Sequence, residues 1–388
     1  SNVDTHTYLF AEDIIRQPAK PNGFPTTWNG HPADYEMDPE VVNDRNYKGR
    51  VASALKSIPS LSLVLNRDDF FKTGQGIYPK SEGVEKATSV ELIYPKTQES
   101  KQADGSVQIV GGSSTGRWKV DKLSMRLKFT SLFGDSSFQY PLFGEDAMNR
   151  FDTLVVDARL NQVWSYGGGS GPSDQRRRGQ NTRDQFVADL QNQMGGFAPH
   201  GIHVHVYING TYWGHYHMVE RPTRTFMASY LGGEKEQYES INSGRTIGPA
   251  SPAWSRLPGI LNNYETARNW IDFTCLADYM VLNFYTGNDW DWSWNHNWMA
   301  AGPSTPGLGG YRFFNWDADI TFRHTTDANL NQPGPGNLFR DSMRHEPFRR
   351  LLADRIHKHL FNGGVLTPGR VQELFDLRAA QIQTSLVA

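Results

Sequence analysis

The stretch HVHVYINGTYWGHYHMVE, from His203 to Glu220, constrains the fold most strongly, because its pattern specifies a β-hairpin. Apolar residues alternate on both sides of Asn209-Gly210, and an Asn-Gly pair between such runs is the strongest short-range hairpin signal. Further period-two runs are bounded by Gly, Asp and Ser, as strands usually are. They predict an antiparallel sheet and are SLSLVLN (60–66), SVELIYP (89–95), SVQIVGG (106–112), LSMRLKF (123–129) and FDTLVVDA (151–158).

Helical patterns interrupt the strands and then follow them. TRDQFVADLQNQMG places Phe186, Leu190 and Met194 on one face, which is typical of an amphipathic helix. Two longer patterns, TARNWIDFTCLADYMVLNFY (266–285) and HEPFRRLLADRIHKHLF (345–361), each predict one continuous helix.

The length of 388 residues suits one large domain or two closely joined ones. We expect an α+β protein with an extended or loosely helical arm (1–60), a β-rich part (61–222) and a helical part (223–388). The formal net charge of -2 gives no electrostatic reason to expect nucleic acid as a partner. No run approaches the ~20 apolar residues of a membrane span. The single cysteine, Cys275, excludes an intrachain disulfide framework.

Two nearby stretches, GNDWDWSWNHNW (287–298) and FFNWDADITF (313–322), combine acidic and amide side chains with tryptophan. A carboxylate buried without a partner is costly, so such a cluster indicates a cation or basic partners. Hard cations such as Mg²⁺ bind carboxylate and amide oxygens. A calcium-stabilised loop or a simply hydrogen-bonded loop would use the same residue types. The candidates are Asn288, Asp289, Asp291, Asn295, Asn297, Asp317 and Asp319.

The order of these residues matches the metal–nucleotide site of protein kinases. There one Asp orients the attacking hydroxyl, while a following Asn and a second Asp hold Mg²⁺. The kinase spacing is D-x-x-x-x-N. Asn295 comes one residue too early after Asp291, and Asn297 comes one residue too late. The order and the residue types therefore agree with phosphoryl transfer, although the spacing differs.

Upstream segments supply candidates for a nucleotide site. GGSSTGRWK (111–119), with Ser113 and Ser114, is either a Gly-rich loop over phosphates or an ordinary hairpin turn. Lys122 and Arg126 share one face of the next strand, opposite its apolar residues, because successive strand residues alternate in direction. That basic face is either solvated or turned toward phosphates.

Two upstream carboxylates are further candidates for the same site. Glu220 closes the hairpin in MVERP, and Asp184 lies on the helix that begins TRDQ. Each would lie on the adenine side of a nucleotide or pair with a lysine. A role without any ligand stays open for both.

Taken together, these segments resemble the CotH kinase family, which is named for a spore-coat protein and related to the protein-kinase fold. The most telling pieces are GGSSTGRWKVDKLSMRLKF, VHVYINGTYWGHYHMVERP, the DW…NHNW stretch and NWDADITF. The resemblance runs from about Ser89 to Phe361 and includes members from environmental bacteria, whose kinase-like part is often one module of a secreted or surface protein. It implies a protein-kinase-like two-lobed fold, with a β-rich N-terminal lobe and a helical C-terminal lobe, that binds ATP and Mg²⁺ or Mn²⁺.

The resemblance also implies a role for each matching residue. Asp291 resembles the catalytic-loop aspartate, and Asp289 is its rival because Asp-Trp occurs twice. The implied metal ligands are Asp317, supported by Asp319, and Asn297, with Asn295 second. The implied nucleotide-binding residues are Lys122, Arg126, Glu220, Ser113 and Ser114.

The function implied first is an atypical protein kinase, which moves the γ-phosphate of ATP to Ser or Thr hydroxyls of a protein substrate. The same fold would also serve a nucleotidyl (AMP) transferase, because the orientation of ATP decides which group moves. A third interpretation is a non-catalytic binding module of a surface protein, in which tryptophans grip polysaccharide and the acids hold Ca²⁺.

Overall fold

The structure is a computed structural model, and it describes residues 5–79, 83–112, 114–115, 122–159, 161, 163, 178–250, 252–289, 291–322 and 328–388. The chain divides into two compact units. The first comprises Ser1–Gln180, Gly201–Glu220 and Ala379–Ala388, and the second comprises Asn181–His200 and Arg221–Arg378. Helices and sheets occur together, which confirms the predicted α+β class. The domain boundaries predicted at residues 60 and 222 stay predictions.

The first unit is built mainly of strands, which are β1 (Thr27–Trp28), β2 (His31–Pro32), β3 (Ser60–Val64), β4 (Lys86–Tyr94), β5 (Glu99–Ile109), β6 (Met125–Lys128), β7 (Phe138–Gln139), β8 (Arg150–Phe151), β9 (Thr153–Asp157), β10 (Gly201–Ile208) and β11 (Thr211–Glu220). A closed barrel runs in the order β10-β11-β9-β6-β5-β4-β3. Its neighbouring strands are antiparallel, except that β3 and β10 pair in parallel and thereby close the barrel.

The strand predictions are confirmed, and alternation explains which side chains enter the barrel. In β6, Met125 and Leu127 are fully buried while Arg126 is half-buried on the other face. The β10–β11 hairpin turns at Asn209 (φ 48) and Gly210 (φ 78). Both residues have positive φ, as the favoured two-residue hairpin turn requires, and an Asn-Gly pair adopts this geometry readily.

The N-terminal segment packs onto this barrel. It contains the short helices α1 (Ala11–Ile14), α2 (Pro39–Val42) and α3 (Val51–Ala54), and α4 (Arg67–Phe71) follows β3. Trp28 and Tyr35 are 0% and 1% exposed. Their rings lie 5.1 and 5.9 Å from the ring of Trp213 on β11. The described part of the segment therefore contributes aromatic side chains to the barrel core, where aromatic pairs bury large apolar areas.

The second unit combines an antiparallel sheet with helices. Its strands are β12 (Tyr238–Asn242), β13 (Arg245–Thr246), β14 (Trp298–Pro303) and β15 (Arg312–Asn315), in the sheet order β13-β12-β14-β15. Its helices are α5 (Arg183–Gln193), α6 (Arg224–Leu231), α7 (Pro252–Ile260), α8 (Tyr264–Ala267), α9 (Phe273–Thr286), α10 (Pro335–Ser342), α11 (Glu346–Leu360) and most of α12 (Pro368–Ile382). Across the described ranges, no helix has both the length and the apolar character that a membrane crossing needs.

The continuous helix predicted over residues 266–285 is wrong at its start. α8 ends at Ala267, and α9 begins only at Phe273. Asp272 separates the two helices because its Oδ1 accepts a hydrogen bond of 2.9 Å from the backbone N–H of Cys275, an N-cap contact. A cap of this kind contributes about 1 kcal/mol and specifies where a helix starts.

Candidate functional site

The first acid-and-amide stretch begins at a fixed point, the end of α9. Gly287 ends this helix in the left-handed conformation (φ 62), which glycine adopts without a steric penalty. The next residue, Asn288, is buried and bonds back to the helix. Its side-chain amide donates to Oδ1 of Asn283 over 2.9 Å, and its backbone N–H donates to the Asn283 carbonyl over 3.0 Å. α9 therefore sets the direction in which the acidic loop leaves.

Two tryptophans of this stretch are packing residues. Trp292 and Trp298 are 1% and 0% exposed. Neighbouring glycines allow the close fit: a Cβ on Gly336 would lie 3.1 Å from the Trp292 ring, and one on Gly334 would lie 2.6 Å from the Trp298 ring. Trp294 is exposed, and Trp290 lies outside the described residues. These two buried rings belong to the hydrophobic core of the second unit and offer no face to a polysaccharide.

Asp291 is the most deeply buried acidic residue of the stretch, with 0% exposure. Its Oδ1 accepts a hydrogen bond of 3.0 Å from the side-chain amide of Asn297. Its Oδ2 is buried and has no hydrogen-bond partner among the described residues. His296 lies nearby, with Nε2 3.8 Å from Oδ1. A buried carboxylate oxygen without a donor is a costly feature, and functional sites are where such features are retained.

The electrostatic surroundings of Asp291 are negative. Burial raises the pKa of Asp291 well above its ordinary range, and the neighbouring charge of Asp317 raises it further. The hydrogen bond from Asn297 opposes this rise in pKa, while Asp184 and Asp289 add to it. Three neighbouring carboxylates therefore act on Asp291, so the site favours a bound cation, which would relieve this repulsion.

The second acidic stretch forms a turn directly after β15. Asp317 takes a positive φ of 59 there, and Asp319 is buried at 6% exposure. The backbone N–H of Ala318 donates over 2.8 Å to Oδ1 of Asp184 on α5. From the sequence, Asp184 was a candidate for the adenine side of a nucleotide or for pairing with a lysine. The structure places it at this turn, close enough to raise the pKa of Asp291.

A buried amide network joins the two stretches, and sequence reasoning missed it. The side-chain amide of Gln191 on α5 donates to the Phe313 carbonyl over 2.6 Å, and its Oε1 accepts from the backbone N–H of Asn315 over 3.2 Å. Asn288 in turn donates to Oδ1 of Asn315 over 3.5 Å. One sequence signal could have indicated this network: a single amide residue within an apolar run. Asn283 within α9 and Asn315 after two phenylalanines show it.

The nucleotide-side candidates belong to the first unit. Lys122 has its Nζ 3.8 Å from Asp34, and Arg126 contacts the side-chain oxygen of Gln108. The hydroxyl of Ser114 donates to the Gly111 carbonyl over 2.6 Å, and Ser113 lies outside the described residues. Glu220, at the end of β11, is buried with 2% exposure. Their assignment to a nucleotide stays a prediction.

The residues around Asp291 fit a divalent cation in their chemistry. Within the part of the chain that the structure describes, no three His, Cys, Asp or Glu side chains could hold a metal ion by themselves. A cation would therefore need amide and phosphate oxygens as well, which is how Mg²⁺ is usually held, with one or two carboxylates. Asp317 and Asn297, with Asp319 and Asn295 as alternatives, supply such a mixed set. The Oδ2 of Asp291, which is buried without a hydrogen-bond partner among the described residues, agrees with a site that a ligand completes.

The fold and the site thus define the class of this protein: a mixed α+β protein with a buried site of acidic and amide side chains. Residues 177–249 match the family model described as CotH kinase protein, which confirms the resemblance to the CotH kinase family over that segment. The match covers less than half of the chain and includes α5 with Asp184, but it ends before both acidic stretches. Among curated proteins, a search finds no match.

Proposed function

We propose that this protein is an atypical kinase that transfers the γ-phosphate of ATP to a Ser or Thr hydroxyl of a protein substrate. The observation that carries the proposal is the buried Asp291, whose Oδ1 is held by Asn297 while its Oδ2 has no hydrogen-bond partner in the described ranges. The match to the CotH kinase model over residues 177–249 supports the reaction class. We also propose that the two units correspond to the lobes of a kinase-like fold.

In this mechanism Asp291 is the general base. As the acceptor hydroxyl oxygen bonds to the γ-phosphorus, its proton passes to Asp291, the bond from phosphorus to the β,γ-bridging oxygen breaks, and ADP leaves. Asn297 orients the carboxylate through Oδ1 and leaves Oδ2 as the oxygen that takes the proton. Because Asp291 is 0% exposed, neighbouring side chains must move before the acceptor hydroxyl can reach Oδ2. The raised pKa makes an ionised Asp291 a stronger base than an ordinary carboxylate, and a divalent cation beside it would favour that ionised form. A divalent ion held by Asp317 and Asn297 would neutralise charge on the phosphates.

Intact-mass spectrometry tests the proposal directly. The protein is incubated with ATP and Mg²⁺ or Mn²⁺, with a generic acceptor protein present, beside the variants Asp291→Asn and Asp317→Ala. Asp354→Asn is the matched control, because Asp354 is exposed on α11 of the same unit. We expect added phosphate with the parent and with the control, and none with the two site variants. Equal phosphate transfer by all four proteins would refute the site.

The same measurement separates the alternatives. An added AMP group in place of phosphate would keep the site and make the protein a nucleotidyl transferase. Thermal stabilisation by Ca²⁺ with no effect of ATP and no transferred group would favour the binding module. The burial of Trp292 and Trp298 argues against the polysaccharide contact on which that module depends. Replacing the proposed nucleotide contacts should weaken ATP binding. These contacts are Lys122, Arg126, Ser113, Ser114 and Glu220.

A further inference from the structure

A cavity of about 370 Å³ lies within the second unit, beside the loop that carries Asp291. Four segments form it: the β12–β13 turn (243–244) with Arg245 of β13, helix α7, Asn295 of the acidic loop, and the start of α10 with the residues before it. Its walls are more apolar than polar, with Trp254, Leu257 and Leu338 among the lining residues. Concave, mostly apolar sites with a few polar groups are where proteins bind ligands.

Asn295 connects this cavity to the proposed reaction. It follows Asp291 by four residues and takes the left-handed conformation, with φ 59. Its Oδ1 is buried and has no hydrogen-bond donor among the residues that the structure describes. An amide oxygen that is buried without a donor is costly, and functional sites are where such features are retained. Because Asn295 lines the cavity, a peptide bound there would contact the loop that carries the proposed general base.

The cavity is formed by well-fixed elements. Glu239, which is buried, accepts hydrogen bonds from the backbone N–H groups of Ala253 (3.3 Å) and Trp254 (3.2 Å) and so fixes the first turn of α7. The Trp254 ring lies 5.5 Å from that of Trp298, which is buried. Gly334 lies on Trp298 so closely that no side chain fits between them. A preformed site loses less entropy on binding than one that must be ordered.

The lining residues indicate what binds. Among the lining residues that the structure describes, Arg245 is the charged one; it is the first residue of β13 and is exposed. We propose that the cavity is the acceptor-peptide subsite of the kinase. It takes a large apolar side chain of the protein substrate, places an acidic residue of that substrate next to Arg245, and holds the bound segment against Asn295 of the loop that carries Asp291. This inference rests on the proposed function and adds the substrate class: apolar and acidic residues near the acceptor hydroxyl.

Peptide binding without ATP or metal tests the subsite separately from catalysis. The probes are three fluorescein-labelled nonapeptides with a central serine. The first is flanked by leucines and glutamates, the second has lysines for the glutamates, and the third has alanines for the leucines. We expect the first to bind most tightly in fluorescence anisotropy. Ser255→Trp, which fills the cavity from its rim, should abolish this binding.

Arg245→Glu should weaken binding of the glutamate peptide roughly fivefold and reverse the preference toward the lysine peptide, since an exposed ion pair is lost and replaced by repulsion. Arg256→Glu is the control, because Arg256 is exposed on α7 and does not line the cavity. It should bind like the parent. Unchanged binding in both Arg245→Glu and Ser255→Trp would overturn the subsite, and so would equal affinity for all three peptides.

Phosphate transfer to the same peptides distinguishes the two proposals. Transfer that follows the binding order and falls in Arg245→Glu supports both. Transfer that ignores the peptide sequence and both variants leaves the kinase standing and overturns the subsite. Binding that depends on Arg245, without transfer to any acceptor, keeps the peptide site and refutes the kinase. Binding of a second copy of the chain in place of a peptide, seen as a dimer that Arg245→Glu dissociates, overturns the acceptor role.

Discussion

The side-chain amide of Asn297 donates a hydrogen bond of 3.0 Å to Oδ1 of Asp291, across the loop that follows α9. The contact uses the nitrogen of the amide, so its oxygen remains available for a cation. One residue can thus orient the proposed base and contribute to the metal site. Asn295, the other candidate amide, instead lines the neighbouring cavity. The two amides that the sequence left as alternatives thus have different surroundings, and their roles stay predictions.

This separation predicts different kinetic defects. Asn297→Ala should lower kcat for phosphate transfer by about 100-fold, because the base loses its orientation. Asn295→Ala should mainly raise KM for the peptide acceptor and leave kcat nearly unchanged. Steady-state kinetics on the two variants measures both constants. A large kcat defect in Asn295→Ala with none in Asn297→Ala would reverse the assignment.

Repulsion among the clustered carboxylates predicts stabilisation by a divalent cation. Asp317, Asp184 and Asp289 each raise the pKa of Asp291, so a bound cation should relieve unfavourable energy in the folded state. Mn²⁺ at tenfold its dissociation constant should add about 1.4 kcal/mol and raise Tm by about 3 °C. Differential scanning fluorimetry measures the shift. Asp317→Asn should lose it and the exposed-site variant Asp354→Asn should keep it; an equal shift in both variants would place the cation elsewhere.

A buried ion pair predicts a stability effect away from the site. Arg355 on α11 donates to both carboxylate oxygens of Asp278 on α9, over 2.7 and 2.6 Å, and the two side chains are 14% and 9% exposed. His359 also approaches Asp278, with its Nε2 at 3.2 Å. Asp278→Ala should lower the free energy of unfolding by about 3–5 kcal/mol, because it leaves the arginine buried without its partner. Urea unfolding measures this loss.

An exposed pair on the same helix is the control for that measurement. Arg350 and Glu346 lie 2.6 Å apart with side chains 78% and 61% exposed. Glu346→Ala should change the unfolding free energy by no more than about 0.5 kcal/mol, as is usual for surface pairs. Replacing Asp278 and Arg355 together by Leu and Met should recover much of the loss. Equal losses in Asp278→Ala and Glu346→Ala would show that burial does not strengthen the pair.

Local patterns predicted the strands and most helices, because alternation and helical periodicity act over a few residues. The closure of the barrel was not predictable in this way. It depends on the parallel pairing of β3 with β10, which joins Ser60 to His205 and is set by tertiary packing. The break before α9 was missed for another reason: Asp272 fits a helical pattern in sequence, and only its hydrogen bond to Cys275 marks it as a cap.

Some parts of the candidate site were also predictable from the sequence, and others were not. Asp291, Asn297 and Asp317 were expected to act together on the order of residue types, and the structure brings them together. The position of Asp184 was not predictable, because its contact with Ala318 links two segments that lie far apart in the chain. Gln191 was missed because an amide on a helix carries no sign of its partner, the backbone of β15.

Two histidines of the β10–β11 hairpin, the buried His205 and the half-buried His215, predict that the barrel weakens in acid. Burial lowers the pKa of His205 to about 4. Burial, then the charges of His205 and Arg159, lower the pKa of His215 to about 3. His205 contacts the Ala54 carbonyl and the Tyr212 hydroxyl, each at 3.0 Å, so its neutral ring is well accommodated.

The sign follows from proton binding. Below the unfolded pKa of 6.5 the unfolded chain takes up protons at these residues, while the folded barrel does not until about pH 4 and about pH 3. The free energy of unfolding should therefore be highest above pH 6.5 and fall as the pH drops, by up to about 1.4 kcal/mol per pH unit for each histidine. Urea unfolding at pH 7.5, 6 and 5 measures this slope. His215→Gln should reduce this slope and leave the contribution of His205, whereas His31→Gln, at an exposed position of the same unit, should leave the slope unchanged. A slope that survives His215→Gln in full would assign the acid sensitivity to other groups.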